Sequence, residues 1–128
     1  MRPGVDVVEI DRIATVVARC PRFVTRVYTH GELEECTRDG VDLTSPAGAA
    51  RLAGRWAAKE AARKALGVRL SWRDIEVRNG PHGVPALWVA GAPAPATLSF
   101  AHDGGVAVAF VIADEAIATH SAVEGLTP

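Results

Sequence analysis

The sequence predicts an α+β fold in which a mainly antiparallel sheet packs with one long helix and several shorter ones. Three observations carry this. Apolar residues recur at helical spacing in the first half of the chain, short strand-like runs replace them after Trp72, and Gly, Pro and Asp turns separate those runs. The chain has 128 residues, 48% apolar and 23% charged, which suits one soluble globular domain over residues 1–128.

Residues 4–8 alternate in character and read as a short strand with Asp6 inside it. A helix follows, since Ile10, Ile13 and Val16/Val17 recur at helical spacing, and Pro21 ends it. Thr29 with Glu32 matches a capping box and starts a short helix through about Cys36. Residues 38–48 include Gly40, Ser45, Pro46 and Gly48 and are expected to be a loop. The long helix runs from about Ala49 to Leu66 and is closed by Gly67. Residues 72–78 form a strand with Ile75 and Val77 on one face, and Asn79-Gly80-Pro81-His82-Gly83 is a turn. Residues 85–90 form a further strand and 91–95 a loop. Residues 97–101 and 106–113 then make a hairpin around Asp103-Gly104-Gly105. The tail after Asp114 carries no pattern and is expected to fray.

Bulk properties exclude several classes. A net charge of −1 gives no global pull toward nucleic acid or an anionic membrane. No segment approaches the ~20 apolar residues that span a bilayer, and nothing near Met1 resembles a signal peptide. Cys20 and Cys36 lack CxxC spacing and are expected as free thiols, with a cytoplasmic setting.

The chemistry concentrates on the long helix. Glu60 and Lys64 stand four residues apart and share a face. They can form an ordinary surface ion pair, or hold a metal ion and a phosphate side by side. Asp6 interrupts an apolar strand, and a buried carboxylate needs a partner. As an alternative to a cap or strand-end carboxylate, Asp6 and Glu60 together supply two hard oxygen ligands, the number Mg²⁺ takes when phosphate completes its shell. Lys59, Lys64 and Arg55 form either a solvated basic face or a means of neutralising pyrophosphate charge. His102 precedes an Asp-Gly-Gly turn and is structural or phosphate-binding. Arg12, Arg19, Arg22 and Arg26, with Phe23 among them, form a solubilising surface or a docking face for an acidic partner.

In this order and spacing the residues resemble the holo-acyl-carrier-protein synthase type of 4′-phosphopantetheinyl transferase. The matching pieces are residues 4–13, Arg22-Phe23 with Arg26, Thr29 with Glu32-Leu33, residues 52–61 with 64–67, residues 72–77, Gly83-Val84-Pro85 and Ser99-Phe100-Ala101-His102. The resemblance implies Mg²⁺-dependent transfer of the 4′-phosphopantetheine arm of coenzyme A to a serine of an apo acyl carrier protein, releasing adenosine 3′,5′-bisphosphate. The carrier would belong to fatty acid or polyketide synthesis.

Carried over by position, Asp6 and Glu60 would ligate the metal, and Lys64 with Lys59 would stabilise pyrophosphate charge, Lys64 assisting the leaving group. Asp6 or a water on the metal would accept the serine proton. His102 would contact the nucleotide phosphates, Arg55 and Ser99 would be among the coenzyme A-binding residues, and Gly83 and Pro85 would lie near the adenosine. Arg12, Val16, Arg19, Arg22, Phe23 and Arg26 would dock the carrier. A homotrimer with active sites across subunit interfaces is also implied.

Two departures bear on the 3′-phosphate. The loop before the long helix, residues 42–48, lacks Lys and Arg, leaving Arg51 as the nearest cation, and Ala101 stands where a hydroxyl is usual. That hydroxyl is worth ~1–3 kcal/mol when bonded to a charged group. These departures motivate the alternative of a carrier-binding module of the same fold with weakened catalysis.

Overall fold

Pro21 and Pro46 each do more than interrupt the chain, because proline fits the first turn of a helix, where its missing N–H is not needed. The elements run β1 (Arg2–Glu9), α1 (Ile10–Arg19), α2 (Pro21–Val27), α3 (His30–Cys36), α4 (Pro46–Leu66), β2 (Ile75–Asn79), β3 (Pro85–Val89), β4 (Ala92–Pro93), β5 (Ala96–Asp103) and β6 (Val106–Ala113). They belong to a computed structural model that describes residues 1–67 and 69–114. The expectation of a frayed tail after Asp114 lies outside the described residues.

The α+β expectation holds, with four corrections, the first being that residues 91–95, expected as a loop, contain the two-residue strand β4 paired with β3. Helix α2 was not foreseen; Pro21 opens it as well as ending α1. Helix α4 begins at Pro46 rather than near Ala49, because the Ser45 hydroxyl accepts a hydrogen bond from the Gly48 amide at 3.0 Å. Strand β2 begins only at Ile75, since Trp72–Asp74 forms a single 3₁₀ turn. The capping box at α3 is complete, with both reciprocal bonds between Thr29 and Glu32.

Two antiparallel sheets form, β1-β6-β5 and β2-β3-β4. In the first, Asp6 pairs with Ala109, and Ala109 with Phe100; one step along, Val8 pairs with Ala107, and Ala107 with His102. Side chains alternate between faces, so Gly4, Asp6, Val8, Phe100 and His102 share the face that α4 covers. The approach is close because both surfaces are small. Ala57, Ala58, Ala61, Ala62 and Ala65 of α4 are fully buried, as are Ala107 and Ala113 opposite. At Gly4 an added Cβ would stand 2.1 Å from the Ala61 carbonyl oxygen, so only glycine lets β1 meet the helix. Gly67, at φ 71°, closes α4, and the Arg2 Nε donates to the Ala65 carbonyl at 2.9 Å.

Burial surrounds α4 almost completely. Between Leu52 and Leu66, all residues except Trp56, Glu60, Arg63 and Lys64 are buried. That narrow stripe is where the helix meets solvent. No helix among the described residues is long and apolar enough to cross a membrane.

Candidate active site

The pleat of β1 turns Asp6 toward the exposed stripe of α4. Asp6 and Glu60 line one cavity of about 380 Å³. Val8, Ile13, Val16, Phe23 and Trp56 form its apolar wall, and Arg12 also borders it. Apolar side chains on one side and a few convergent polar groups on the other suit a ligand site.

Lys64, from the next turn of α4, does not line this cavity but reaches Asp6 at its edge. Its Nζ lies 3.2 Å from Asp6 Oδ1 and donates to the Val5 carbonyl at 2.9 Å. Because the Lys64 side chain is half exposed, the pair contributes little to stability. Its consequence is positional: an ammonium sits against a carboxylate at the cavity. Among the described residues no third His, Cys, Asp or Glu joins these carboxylates in a metal-binding group. Two hard oxygen donors suit Mg²⁺, which takes one or two carboxylates and fills its remaining positions with phosphate oxygens and water.

Lys59 requires a correction. It precedes Glu60 in sequence yet is fully buried on another side of α4. Its Nζ stands 2.7 Å from Glu32 Oε1, donates to the Trp72 carbonyl at 2.9 Å, and also donates to the Ile75 carbonyl. An ammonium has three protons, and these partners use all of them. No donor remains for pyrophosphate. Burial pulls the Lys59 pKa down while the Glu32 charge opposes the shift. Glu32 is likewise fully buried, accepting from the Thr29 and Val77 amides at 2.9 Å each. Thr29 in turn donates to Glu76 at 2.6 Å. Burial raises the Glu76 pKa, but hydrogen bonds from Thr29 and Arg78 outweigh it and the net direction is down.

The other candidates separate into groups. Arg55 is buried near β5, with its guanidinium carbon 5.8 Å from the Phe100 ring centre and Nη1 donating to the Arg51 carbonyl at 3.3 Å. Its Nε is the one buried side-chain nitrogen or oxygen without a hydrogen-bond partner among the described residues. His102 is exposed on the same sheet face, one register step beyond Phe100. Neither Arg55 nor His102 lines the cavity of Asp6 and Glu60. Ser99 pairs with Phe110 on the opposite face of the sheet, so it is not beside His102. Gly83 and Pro85 lie at the β2–β3 connection, also outside that cavity.

The docking candidates fare differently. Val16, Phe23 and Arg12 border the cavity directly, whereas Arg19, Arg22 and Arg26 are exposed on α1 and α2. Trp56 was missed as a site residue. Its spacing of four before Glu60 was the available signal, because that places it on the same helical face. It packs against Phe23 at 5.6 Å and Trp72 at 4.7 Å between ring centres.

Comparison with known proteins gives a consistent result. Residues 2–119 match the profile of the 4′-phosphopantetheinyl transferase superfamily. The holo-[acyl-carrier-protein] synthase of Salinispora arenicola is 42% identical over 122 residues, covering 87% of this chain and 95% of that one. Among solved structures, holo-(acyl-carrier-protein) synthase from Bacillus anthracis in complex with CoA (3′,5′-ADP) superposes with a TM-score of 0.71 at 33% identity. It matches 86% of this chain and 92% of its own. The Helicobacter pylori synthase in complex with coenzyme A gives a TM-score of 0.71 at 28% identity, with 86% and 97% covered.

Proposed function

The chain belongs to the 4′-phosphopantetheinyl transferase superfamily, and from that premise we propose that it is a holo-[acyl-carrier-protein] synthase. It transfers the 4′-phosphopantetheine arm of coenzyme A to a serine of an apo acyl carrier protein and releases adenosine 3′,5′-bisphosphate. The observation that carries the assignment of the site is the shared cavity of Asp6 and Glu60, with Lys64 on Asp6.

Asp6 and Glu60 would hold Mg²⁺, which supplies Lewis-acid polarisation of the coenzyme A pyrophosphate. The serine oxygen forms a bond to the phosphorus that carries the pantetheine arm, and the bond from that phosphorus to the bridging oxygen breaks. Lys64 stabilises the charge that collects on the departing bisphosphate. The serine proton passes to Asp6 or to water in the cavity. Val8, Ile13, Phe23 and Trp56 exclude bulk water from one side, so these charges interact more strongly there than in solution. Arg12, Val16, Arg19, Arg22, Phe23 and Arg26 form the carrier's landing surface, where complementary charge speeds encounter.

Arg55 and His102 would bind the 3′-phosphate end of coenzyme A, in a site completed by a second copy of the chain in a homotrimer. The unpartnered Arg55 Nε supports an anion there. The outer face of β1-β6-β5 supports the assembly: Val5, Val7, Val108 and Phe110 are 50%, 60%, 37% and 45% exposed, an apolar face that a neighbour would cover. A cytoplasmic setting accompanies this reading.

Intact-mass analysis of an apo carrier incubated with the enzyme, coenzyme A and Mg²⁺ tests the proposal. The carrier gains the mass of the arm, and Glu60→Ala prevents the gain. Carrier binding without any gain in mass would leave a binding module in place of an enzyme.

A further inference from the structure

The exposed stripe of α4 holds one cation that the mechanism above leaves unused. With 3.6 residues per turn, Lys64 lies about 40° to one side of Glu60 and Arg63 about 60° to the other. Lys64 leans onto β1, where its Nζ meets Val5 and Asp6. Arg63 leans away from it, with its guanidinium carbon 4.1 Å from the Trp72 ring centre. Among the described residues Arg63 has no ion pair and no side-chain hydrogen bond. Stacking on the indole holds the guanidinium plane in place while its N–H edge stays open.

The stack continues. Trp72 packs on Trp56, and Trp56 on Phe23, so an unbroken aromatic row joins Arg63 to the cavity wall and the α1–α2 patch. We propose that Arg63 extends the carrier-docking surface across the cavity, pairing with an acidic side chain of the carrier on the side opposite Asp6. This rests on the reading of the chain as a carrier-modifying enzyme.

The choice of carrier over coenzyme A follows from direction. The anion-handling group of the mechanism, Lys64, lies toward β1, whereas Arg63 points to an aromatic row that offers a phosphate no further donor except indole N–H groups. Apolar rings flanked by guanidinium groups instead suit a protein surface with an acidic rim. Net charge adds to this: the chain carries −1 overall, yet Arg12 borders the cavity that Phe23 and Trp56 line, and Arg63 stacks on Trp72 at the other end of the row. A carrier held from both sides keeps its serine over Glu60 and Asp6.

Steady-state kinetics of Arg63→Ala and Arg63→Glu with an apo carrier, coenzyme A and Mg²⁺ decide the matter. The KM for carrier rises about fivefold in Arg63→Ala, the effect of one lost partly exposed ion pair. It rises further in Arg63→Glu, and the gap between the two narrows as salt is added. The KM for coenzyme A and kcat stay near wild type. An unchanged carrier KM, or a rise confined to the KM for coenzyme A, overturns the proposal. Should Arg63→Ala fail to fold, Arg63→Gln keeps a stem over Trp72 and carries the same expectation. Lack of transfer by the wild-type enzyme would refute the enzymatic reading alone; titration of carrier onto wild-type and Arg63→Ala protein then tests Arg63 through Kd.

Discussion

Lys59 and Glu60 are adjacent charged residues on one helix, and they serve different ends. Lys59 is sealed in a network with Glu32 and two backbone carbonyls that ties α4 to α3 and to the start of β2. Glu60 stands on the exposed stripe and faces a cavity with Asp6. A rotation of about 100° per residue separates them. Charge type therefore does not distinguish a group that organises the fold from one that performs chemistry. The number of satisfied donors does: Lys59 has none to spare, while the cavity carboxylates can still take a ligand.

The sharpest test of the contrast is loss of function without loss of fold. Glu60→Ala abolishes measurable arm transfer, while its thermal unfolding stays within about 0.5 kcal/mol of wild type, as for other surface substitutions. Lys59→Met does the reverse. Removing one partner of a buried ion pair costs roughly 3–5 kcal/mol, read by denaturant unfolding, because Glu32 is left buried and uncompensated. Activity per folded molecule in that variant remains measurable at low temperature. Equal destabilisation by both substitutions would erase the distinction.

A third experiment extends the comparison to the two ends of the proposed shared site. Glu60→Ala and Arg55→Ala chains are each nearly inactive alone, but co-refolded mixtures regain part of the wild-type rate, since some interfaces then carry both intact halves. A mixture no faster than its parts would place all the needed groups within one chain. The smallest effect concerns Glu76, which joins the Lys59 network through Thr29. Its folded pKa is depressed, so its contribution to stability is present above the ordinary carboxylate range and lost as pH falls through the lower folded value. Glu76→Gln flattens that acid limb in a series of unfolding curves measured from pH 6 downward.

The same contrast shows what could be read from sequence. Periodicity located β1 and α1, the Thr29/Glu32 capping box located α3, the closing Gly67 marked the end of the long helix, the Asp-Gly-Gly turn located the final hairpin, and spacing alone put Glu60 and Lys64 on one face. Asp6 was legible because a carboxylate in an apolar strand is costly without a partner. Lys59 was misread for a physical reason. Helix α4 is buried nearly all round, so its sequence lacks the polar stripe that would show which charged residues face solvent. Its partner Glu32 is a capping-box residue whose second role appears only when α3 packs against α4 and β2. Arg55 and Ser99 are read from sequence only as cofactor-binding residues; helix rotation puts Arg55 beside Phe100 rather than in the Asp6–Glu60 cavity, and strand register puts Ser99 on the sheet face opposite His102.

Two carboxylates sharing one ion are the centre of the proposed site, and calorimetric titration of Mg²⁺ into the enzyme with coenzyme A measures this directly. A single saturable site per chain is expected in the wild type, with affinity reduced at least about tenfold in both Asp6→Asn and Glu60→Gln, since even partners of metal ligands cost that much. Undiminished Mg²⁺ binding in either variant would contradict a shared ion.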